Sequence, residues 1–140
     1  MALLTVLSSG AGAAYAADTF GAIQVVESGT KVSEASGGKT YDPVNTLNDI
    51  STDIRFRDVT ADGWSTYARV YEEGKDCLNC AYYSVAKDET NKYGSADGWR
   101  NSTLHQDDLQ IGRWRAKPGV CHHNGAFTPD NCNYAGYQYP

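Results

Sequence analysis

Apolar and polar residues alternate most regularly over residues 54–72 of the chain. A period of two is typical of β-strands that turn one face to a core and the other to solvent. The first half of this stretch places Ile54, Phe56 and Asp58 on one face, and the second half continues the alternation. Asp62-Gly63 lies between the halves, and Gly accepts the positive φ of a tight hairpin turn. The pattern therefore predicts a β-hairpin.

The chain beyond this stretch repeats the same kind of pattern in shorter segments. Turn signals recur roughly every eight to twelve residues, and no segment has the length and apolar spacing of a helix. We therefore predict an all-β fold, a small antiparallel sandwich or barrel, with its β domain over residues 50–140. Further strands are predicted at residues 81–86, 99–104, 109–116, 119–121 and 134–139, with a bulge at Gly112.

The segment over residues 18–49 has a different composition. Gly and Ser are frequent in it, and Ile23, Val25 and Val26 form its one apolar cluster. Such a segment buries too little surface to offset the entropy of ordering it. We predict a flexible N-terminal arm in which Ile23, Val25 and Val26 bind a partner as a docking strand. A linker without a role and an edge strand of the domain are the alternatives.

Residues 1–17 have the features of a secretory signal peptide. No charged residue precedes Asp18, and Ala14-Tyr15-Ala16 supplies small residues at the two positions that signal peptidase reads. The basic segment that usually comes before the apolar core is missing, which indicates a translation start upstream of Met1. Elsewhere the apolar runs are too short to span a bilayer. The predicted localisation is extracellular, as a secreted and soluble protein.

Four cysteines in a chain predicted to be exported favour disulfides. We prefer the pairs Cys77–Cys80 and Cys121–Cys132, because each closes one local loop, while the crossed pairings remain open. A redox site at the first pair competes with this interpretation, but a strand is predicted after that pair where a redox motif usually has a helix. Zinc competes as well, since Cys121-His122-His123 adds ligands. An oxidising compartment argues against free thiolates, and we expect neither a metal nor a cofactor.

Charge and the remaining polar motifs limit the functional classes. The net charge of −5 argues against a nucleic-acid partner, because a phosphate backbone is bound by a basic surface. His105 and Asp107 resemble a general-base couple, but no nucleophile motif accompanies them, so we interpret both as turn residues and expect no enzymatic activity. Outward-facing rings could stack on sugars or on a partner protein. The candidates are Tyr82, Tyr134, Tyr137 and Tyr139.

Several short motifs are informative together. These are residues 58–63 (DVTADG), residues 67–70 (YARV), Arg113 with Arg115, and residues 130–132 (DNC), which follow Cys121. In this order they resemble a class of small secreted actinobacterial β-sandwich proteins that end in a cysteine-bounded loop. One branch with a similar plan is the adaptor subunit of umbrella toxin particles, in which a signal peptide and an extended arm precede a compact disulfide-bonded β domain. The pair Cys77–Cys80 has no counterpart in that pattern.

The resemblance implies that the arm and the domain each join a different partner, a lectin-like subunit and a large repeat-bearing toxin subunit. We therefore expect a secreted, non-enzymatic interaction protein, an adaptor that links subunits of an extracellular toxin complex. Its expected partners are other secreted proteins; nucleic acid and membranes are not expected. The alternatives are a carbohydrate- or cell-wall-binding module that uses exposed aromatic rings, and a secreted protease inhibitor that presents the arm.

Overall fold

The computed structural model describes residues 17–43, 49–107 and 113–140. The predicted signal peptide, apart from Ala17, and the predicted bulge at Gly112 lie outside the described residues. Within the described ranges, no helix is long and apolar enough to cross a membrane. The elements there are β1 (Ala17–Phe20), β2 (Ile23–Glu27), β3 (Thr30–Tyr41), β4 (Ile50–Asp58), β5 (Ser65–Lys75), β6 (Tyr83–Glu89), a 3-10 turn (Ser95–Asp97), β7 (Arg100–Gln106), β8 (Arg113–His123) and β9 (Asn131–Tyr134).

The strands form two antiparallel sheets that pack against each other. The five-stranded sheet has the order β1-β3-β4-β7, and β2 also pairs with β3. The four-stranded sheet has the order β6-β5-β8-β9. Apolar side chains of both sheets line a single core between them. The prediction of an all-β antiparallel sandwich is therefore confirmed.

The predicted alternation and most of the predicted strands are confirmed. Ile54, Phe56 and Asp58 of β4 are buried, whereas Arg55 between them is exposed. The segments expected at residues 81–86 and 99–104 correspond to β6 and β7, displaced by a few positions. One long strand, β8, spans part of the fifth predicted strand and the short strand expected at residues 119–121. The final strand, β9, ends where the last predicted strand was expected to begin.

The predicted hairpin between β4 and β5 is wrong. Gly63 does adopt a positive φ of 84°, and Asp62 Oδ1 accepts the Trp64 backbone N–H over 2.9 Å, as its turn chemistry suggests. However, β4 belongs to the five-stranded sheet and β5 to the four-stranded sheet. Residues 59–64 therefore form an arch that carries the chain from one sheet to the other. The turn residues fix the local path of the backbone, but they do not determine which strand β4 pairs with.

The prediction of a flexible N-terminal arm is also wrong for the part of residues 18–49 that the structure describes. β3 has 12 residues and lies inside its sheet, with β1 and β2 on one side and β4 on the other. A side chain at Gly38 would collide with the backbone oxygen of Asp53 in β4, which shows how closely the two strands approach. The conformational entropy that this segment loses on folding is offset by the pairing of β3 on both of its edges and by the packing of the two sheets against each other.

The apolar cluster of this segment belongs to the core. Ile23 and Val25 are only 4% and 2% exposed, so they cannot bind a partner while the protein is folded. Val26 points the other way and is 52% exposed. The polar composition misled the prediction because buried hydroxyls of the segment find partners inside the fold. The side chain of Thr40, for example, hydrogen-bonds that of Thr52 in β4 over 3.0 Å.

Both preferred disulfides are present. Cys77–Cys80 closes the connection between β5 and β6, and Cys121–Cys132 joins β8 to β9. All four cysteines are in disulfides. No thiolate is therefore left to bind zinc, and no free thiol is left for a redox site. Disulfides of this kind are typical of an oxidising, extracellular-type environment.

A polar cluster lies between the sheets beside the arch, and we call it the arch cluster. Its central residue, His122 of β8, is fully buried, and His122 Nδ1 lies 3.2 Å from Oε1 of Glu27 in β2. His122 Nε2 lies 3.8 Å from Oδ1 of Asp58 and 3.4 Å from Oδ2 of Asp62. The full membership is Glu27, Ser33, Asp58, Asp62, Thr66 and His122.

Hydroxyl groups extend the arch cluster across the sandwich. Thr66 Oγ1 of β5 donates to Asp58 Oδ1 of β4 over 2.9 Å, and the hydroxyls of Ser33 in β3 and Thr66 form a further hydrogen bond. Burial raises the pKa of Asp58, although the hydrogen bond from Thr66 and the nearby His122 oppose that rise. Because these groups come from both sheets, the cluster ties one sheet to the other.

Replacing His122 should therefore weaken the whole sandwich. In His122→Ala, the carboxylates of Glu27 and Asp58 would face a cavity without their buried partner, and we expect a loss of roughly 2–4 kcal/mol in the free energy of unfolding. His105→Ala is the matched control, since His105 is exposed and contacts Ser51 at the end of β4. Urea denaturation gives the unfolding midpoint and the free energy of unfolding of both variants. Equal midpoints would show that the arch cluster does not hold the sheets together.

Candidate binding face

The outer side of the four-stranded sheet carries an unusual set of side chains. Residues of β5 and β8 that point away from the core alternate with buried ones, and most of them are tyrosines, arginines or lysines. β5 has 11 residues, so the face extends for roughly 30 Å along the strand. We call it the tyrosine–cation face. Its members are Tyr67, Arg69, Tyr71, Lys75, Tyr82, Arg115, Lys117, Tyr134, Tyr137 and Tyr139.

Arg115 is the central residue at one end of the face. Its guanidinium lies 4.0 Å from the ring centroid of Tyr82 and 3.6 Å from that of Tyr137, so it is sandwiched between two aromatic rings. Arg115 Nε donates to Glu73 Oε2 over 2.7 Å, and Nη1 donates to the Tyr139 hydroxyl over 3.3 Å. Cation–π contact and ion pairing together fix the guanidinium in one position, with little rotamer freedom left.

Tyr134 lies in the middle of the face, directly against the backbone. It is paired with Gly119 in the register of β8 and β9, and a Cβ on Gly119 would lie 2.6 Å from Tyr134 Cε1. Only glycine leaves room for the ring at that position. The Tyr134 ring also contacts the Tyr71 ring, with centroids 5.6 Å apart, and the Lys117 ammonium lies 5.5 Å from its centroid.

A hydrogen-bonded network closes the other end of the face. The Tyr67 hydroxyl donates to Asp130 Oδ2 over 2.6 Å and accepts from Arg69 Nη2 over 2.8 Å, while Arg69 Nε pairs with Glu89 over 2.7 Å. Burial and the hydrogen bond to Asp130 raise the pKa of Tyr67, which keeps its hydroxyl protonated as the donor. Burial alone would raise the pKa of Asp130, but hydrogen bonds from Tyr67 and His123 lower it. The network is thus ordered before any ligand arrives.

The tyrosine–cation face has four cationic side chains, Arg69, Lys75, Arg115 and Lys117, although the chain as a whole carries a net charge of −5. Glu73 and Glu89 neutralise Arg115 and Arg69. Within the part of the chain that the structure describes, no carboxylate pairs with Lys75 or Lys117, whose ammonium groups lie over tyrosine rings. Lys75 and Lys117 thus add positive charge that no carboxylate in the described residues neutralises, which favours an anionic ligand or an acidic protein surface.

The other polar residues singled out by the sequence do not converge on one site. The His105 side chain hydrogen-bonds Ser51 over 2.7 Å, and Asp107 is exposed at the end of the described segment. The described residues contain no group of three or more His, Cys, Asp or Glu side chains arranged to hold a metal ion. The tyrosines at positions 82, 134, 137 and 139, in contrast, all lie on the tyrosine–cation face.

Sequence reasoning missed the cations of this face. The signal was present, since Arg69 and Tyr71 alternate with buried residues in β5, and Arg115 and Lys117 do so in β8. Finding it required the register, because β5 and β8 are separated by a long stretch of sequence and become neighbours only in the sheet.

No protein-family model matches the chain, and neither a curated protein nor a solved structure is significantly similar to it. The function is therefore inferred from the geometry of the described residues.

A second group of ionisable residues lies inside the sandwich. Glu72 of β5 is only 2% exposed and lies beside Asp88 of β6. Burial first, and then the charge of Asp88, raise the pKa of Glu72 from its ordinary value of 4.5 to about 8. A buried carboxyl group with a raised pKa is a potential acid–base group. It faces the core rather than solvent, so we interpret it as a determinant of stability.

The raised pKa of Glu72 makes the stability of the protein depend on pH in a definite direction. In the folded protein Glu72 keeps its proton at pH values at which the unfolded chain has already released it. The protonated side chain therefore contributes fully to the free energy of unfolding below about pH 4.5, and this contribution is lost as the pH rises towards 8. Glu72→Gln should leave stability near pH 5 almost unchanged and increase it by roughly 2 kcal/mol or more near pH 8.5. Glu73→Gln, on the solvent side, is the control. The melting temperatures of both variants are measured at the two pH values. An equal change in melting temperature with pH for the two variants would contradict the account.

Proposed function

We propose that the protein is an exported, non-enzymatic interaction protein that binds an acidic partner protein through the tyrosine–cation face. The observation that carries this proposal is the sandwich of Arg115 between Tyr82 and Tyr137 in a continuous tyrosine surface. Tyrosine and arginine are the residues enriched where protein interfaces gain most of their binding energy. The cations and hydroxyls of the face are engaged with one another, which suits recognition by a rigid surface better than attack on a reacting atom.

Export is supported by the predicted signal peptide and by the disulfides. In this setting the adaptor role in an extracellular toxin complex, which the sequence resemblance suggests, remains our proposal for the biological context. The surface that joins a partner is different from the one first expected. The N-terminal segment forms three strands of the sandwich, so the tyrosine–cation face takes its place as the docking surface.

Carbohydrate binding is the second candidate. It is favoured by Tyr134, whose ring lies against the backbone at Gly119. Aromatic rings held in this way, next to the Lys117 ammonium, could stack on the sugar rings of an acidic polysaccharide. The same face would then serve a glycan, and the experiment below distinguishes the two ligands.

The proposal is tested with tagged full-length protein and with the variant Arg115→Gln, both incubated with culture supernatant and with cell-wall polysaccharide of the producing organism. We expect one protein to be retained in a stoichiometric complex, with binding at least about 30-fold weaker for Arg115→Gln, because truncating an interface hot spot typically costs 2 kcal/mol or more. Binding should also weaken as salt is added, since the face is cationic.

Arg55→Gln is the matched control. Arg55 likewise lies over an aromatic ring, that of Trp99 at 4.8 Å, but on the five-stranded sheet. Its replacement should leave binding unchanged. Retention of polysaccharide and of no protein, again sensitive to Arg115, would support the carbohydrate candidate. Equal binding by the Arg115 and Arg55 variants would contradict a role for the tyrosine–cation face.

A further inference from the structure

The loop between β8 and β9, residues 124–130, presents a fully exposed aromatic side chain at its tip. Phe127 is 102% exposed, which is more than any other large apolar residue in the described part of the chain. Its neighbours Ala126 and Thr128 are small and also exposed. Residues 124–129 carry no charge, so the tip is narrow, apolar and neutral. We call this segment the docking loop.

The base of the docking loop is held at both ends. The disulfide Cys121–Cys132 links the two strands from which it emerges. Asp130 at one end accepts a hydrogen bond from the Tyr67 hydroxyl over 2.6 Å and lies 2.9 Å from His123 Nδ1. At the other end, Asn124 Nδ2 donates to Glu27 Oε1 over 2.9 Å, which connects the loop to the arch cluster.

A contact with the half-exposed Trp64 side chain supports the docking loop next to its first residue. Gly125 adopts a φ of +95°, and a Cβ at this position would lie 2.9 Å from the indole of Trp64. Glycine therefore allows the Trp64 ring of the arch to pack against the loop backbone. Both ends of the docking loop are thus held by the rest of the fold, so that less conformational entropy would be lost on binding than for a loop without these contacts.

An uncharged loop that is held at its base and carries a protruding aromatic ring is complementary to a cleft with a deep apolar pocket. A serine protease that cleaves after aromatic residues has a substrate cleft of this kind, because its specificity pocket is a hydrophobic slot. We propose that the docking loop binds in such a cleft, with Phe127 in the specificity pocket, and that the protein inhibits exported proteases of this class. The docking loop adjoins the tyrosine–cation face at the Tyr67–Asp130 hydrogen bond, but the proposal does not depend on the function proposed for that face.

The disulfide gives the loop a further property that suits an inhibitor. Hydrolysis at Phe127 would add water across the Phe127–Thr128 peptide bond, leaving a carboxylate on Phe127 and an amine on Thr128. Because Cys121–Cys132 encloses this bond, both new ends would remain attached to the sandwich. The contacts of Asp130 and Asn124 would hold them near each other, so release from the protease would be slow even after cleavage.

The experiment measures inhibition of α-chymotrypsin by the full-length protein, with trypsin as the second protease. We expect inhibition of chymotrypsin and little inhibition of trypsin. Phe127→Ala should weaken inhibition by roughly 100-fold, because the residue in the pocket supplies most of the binding energy. Phe127→Lys should exchange the preference, losing chymotrypsin and gaining trypsin, since the trypsin pocket holds an Asp.

Tyr83→Ala is the matched control, because Tyr83 is an exposed aromatic residue on β6, outside the loop. It should inhibit like the parent protein, and the Phe127 variants should keep the parent melting temperature. The proposal would be overturned by a parent protein that fails to inhibit chymotrypsin, by rapid and complete cleavage after Phe127 without inhibition, or by a Phe127→Ala variant as potent as the parent.

Discussion

The arch over residues 59–64 and the arch cluster beside it determine how the chain divides into two sheets. Since β4 and β5 do not pair with each other, each must find its neighbours elsewhere. β4 lies between β3 and β7, and β5 lies between β6 and β8. β4 is paired on both of its edges only if β3 is in place. This requirement explains why the Gly- and Ser-rich N-terminal segment that contains β3 is ordered. His122 of the four-stranded sheet is buried beside carboxylates of the five-stranded sheet and the arch, and it thereby connects the two layers.

The same arrangement positions both candidate binding surfaces. Packing the inner face of the four-stranded sheet on the core leaves its outer face to solvent, and there the alternate residues of β5 and β8 form the tyrosine–cation face. The docking loop starts at the end of β8, after His123, which follows the buried His122. Glu27 contacts both His122 and Asn124, so the arch cluster and the loop share a partner. The stability of the sandwich and the shape of its surfaces are thus linked.

Local features were predictable from the sequence, and pairings between distant segments were not. Alternation identified the buried face of β4, turn chemistry identified the positive φ of Gly63, and loop length identified both disulfides. The partner of β4 could not be predicted, because a tight turn fits an arch as well as a hairpin. Composition failed for residues 18–41, since Ser33 and Thr40 are buried with hydroxyl partners that sequence alone does not reveal.

The central claim is that the N-terminal strands belong to the same cooperative unit as the rest of the sandwich. Native-state hydrogen exchange tests it directly, because it gives the free energy of opening for each backbone amide. The account predicts that amides of β3 exchange only through global unfolding, with the same opening free energy as those of β5 and β8. Fast exchange throughout β3, with β5 and β8 still protected, would contradict it and would restore the flexible arm as a candidate for binding.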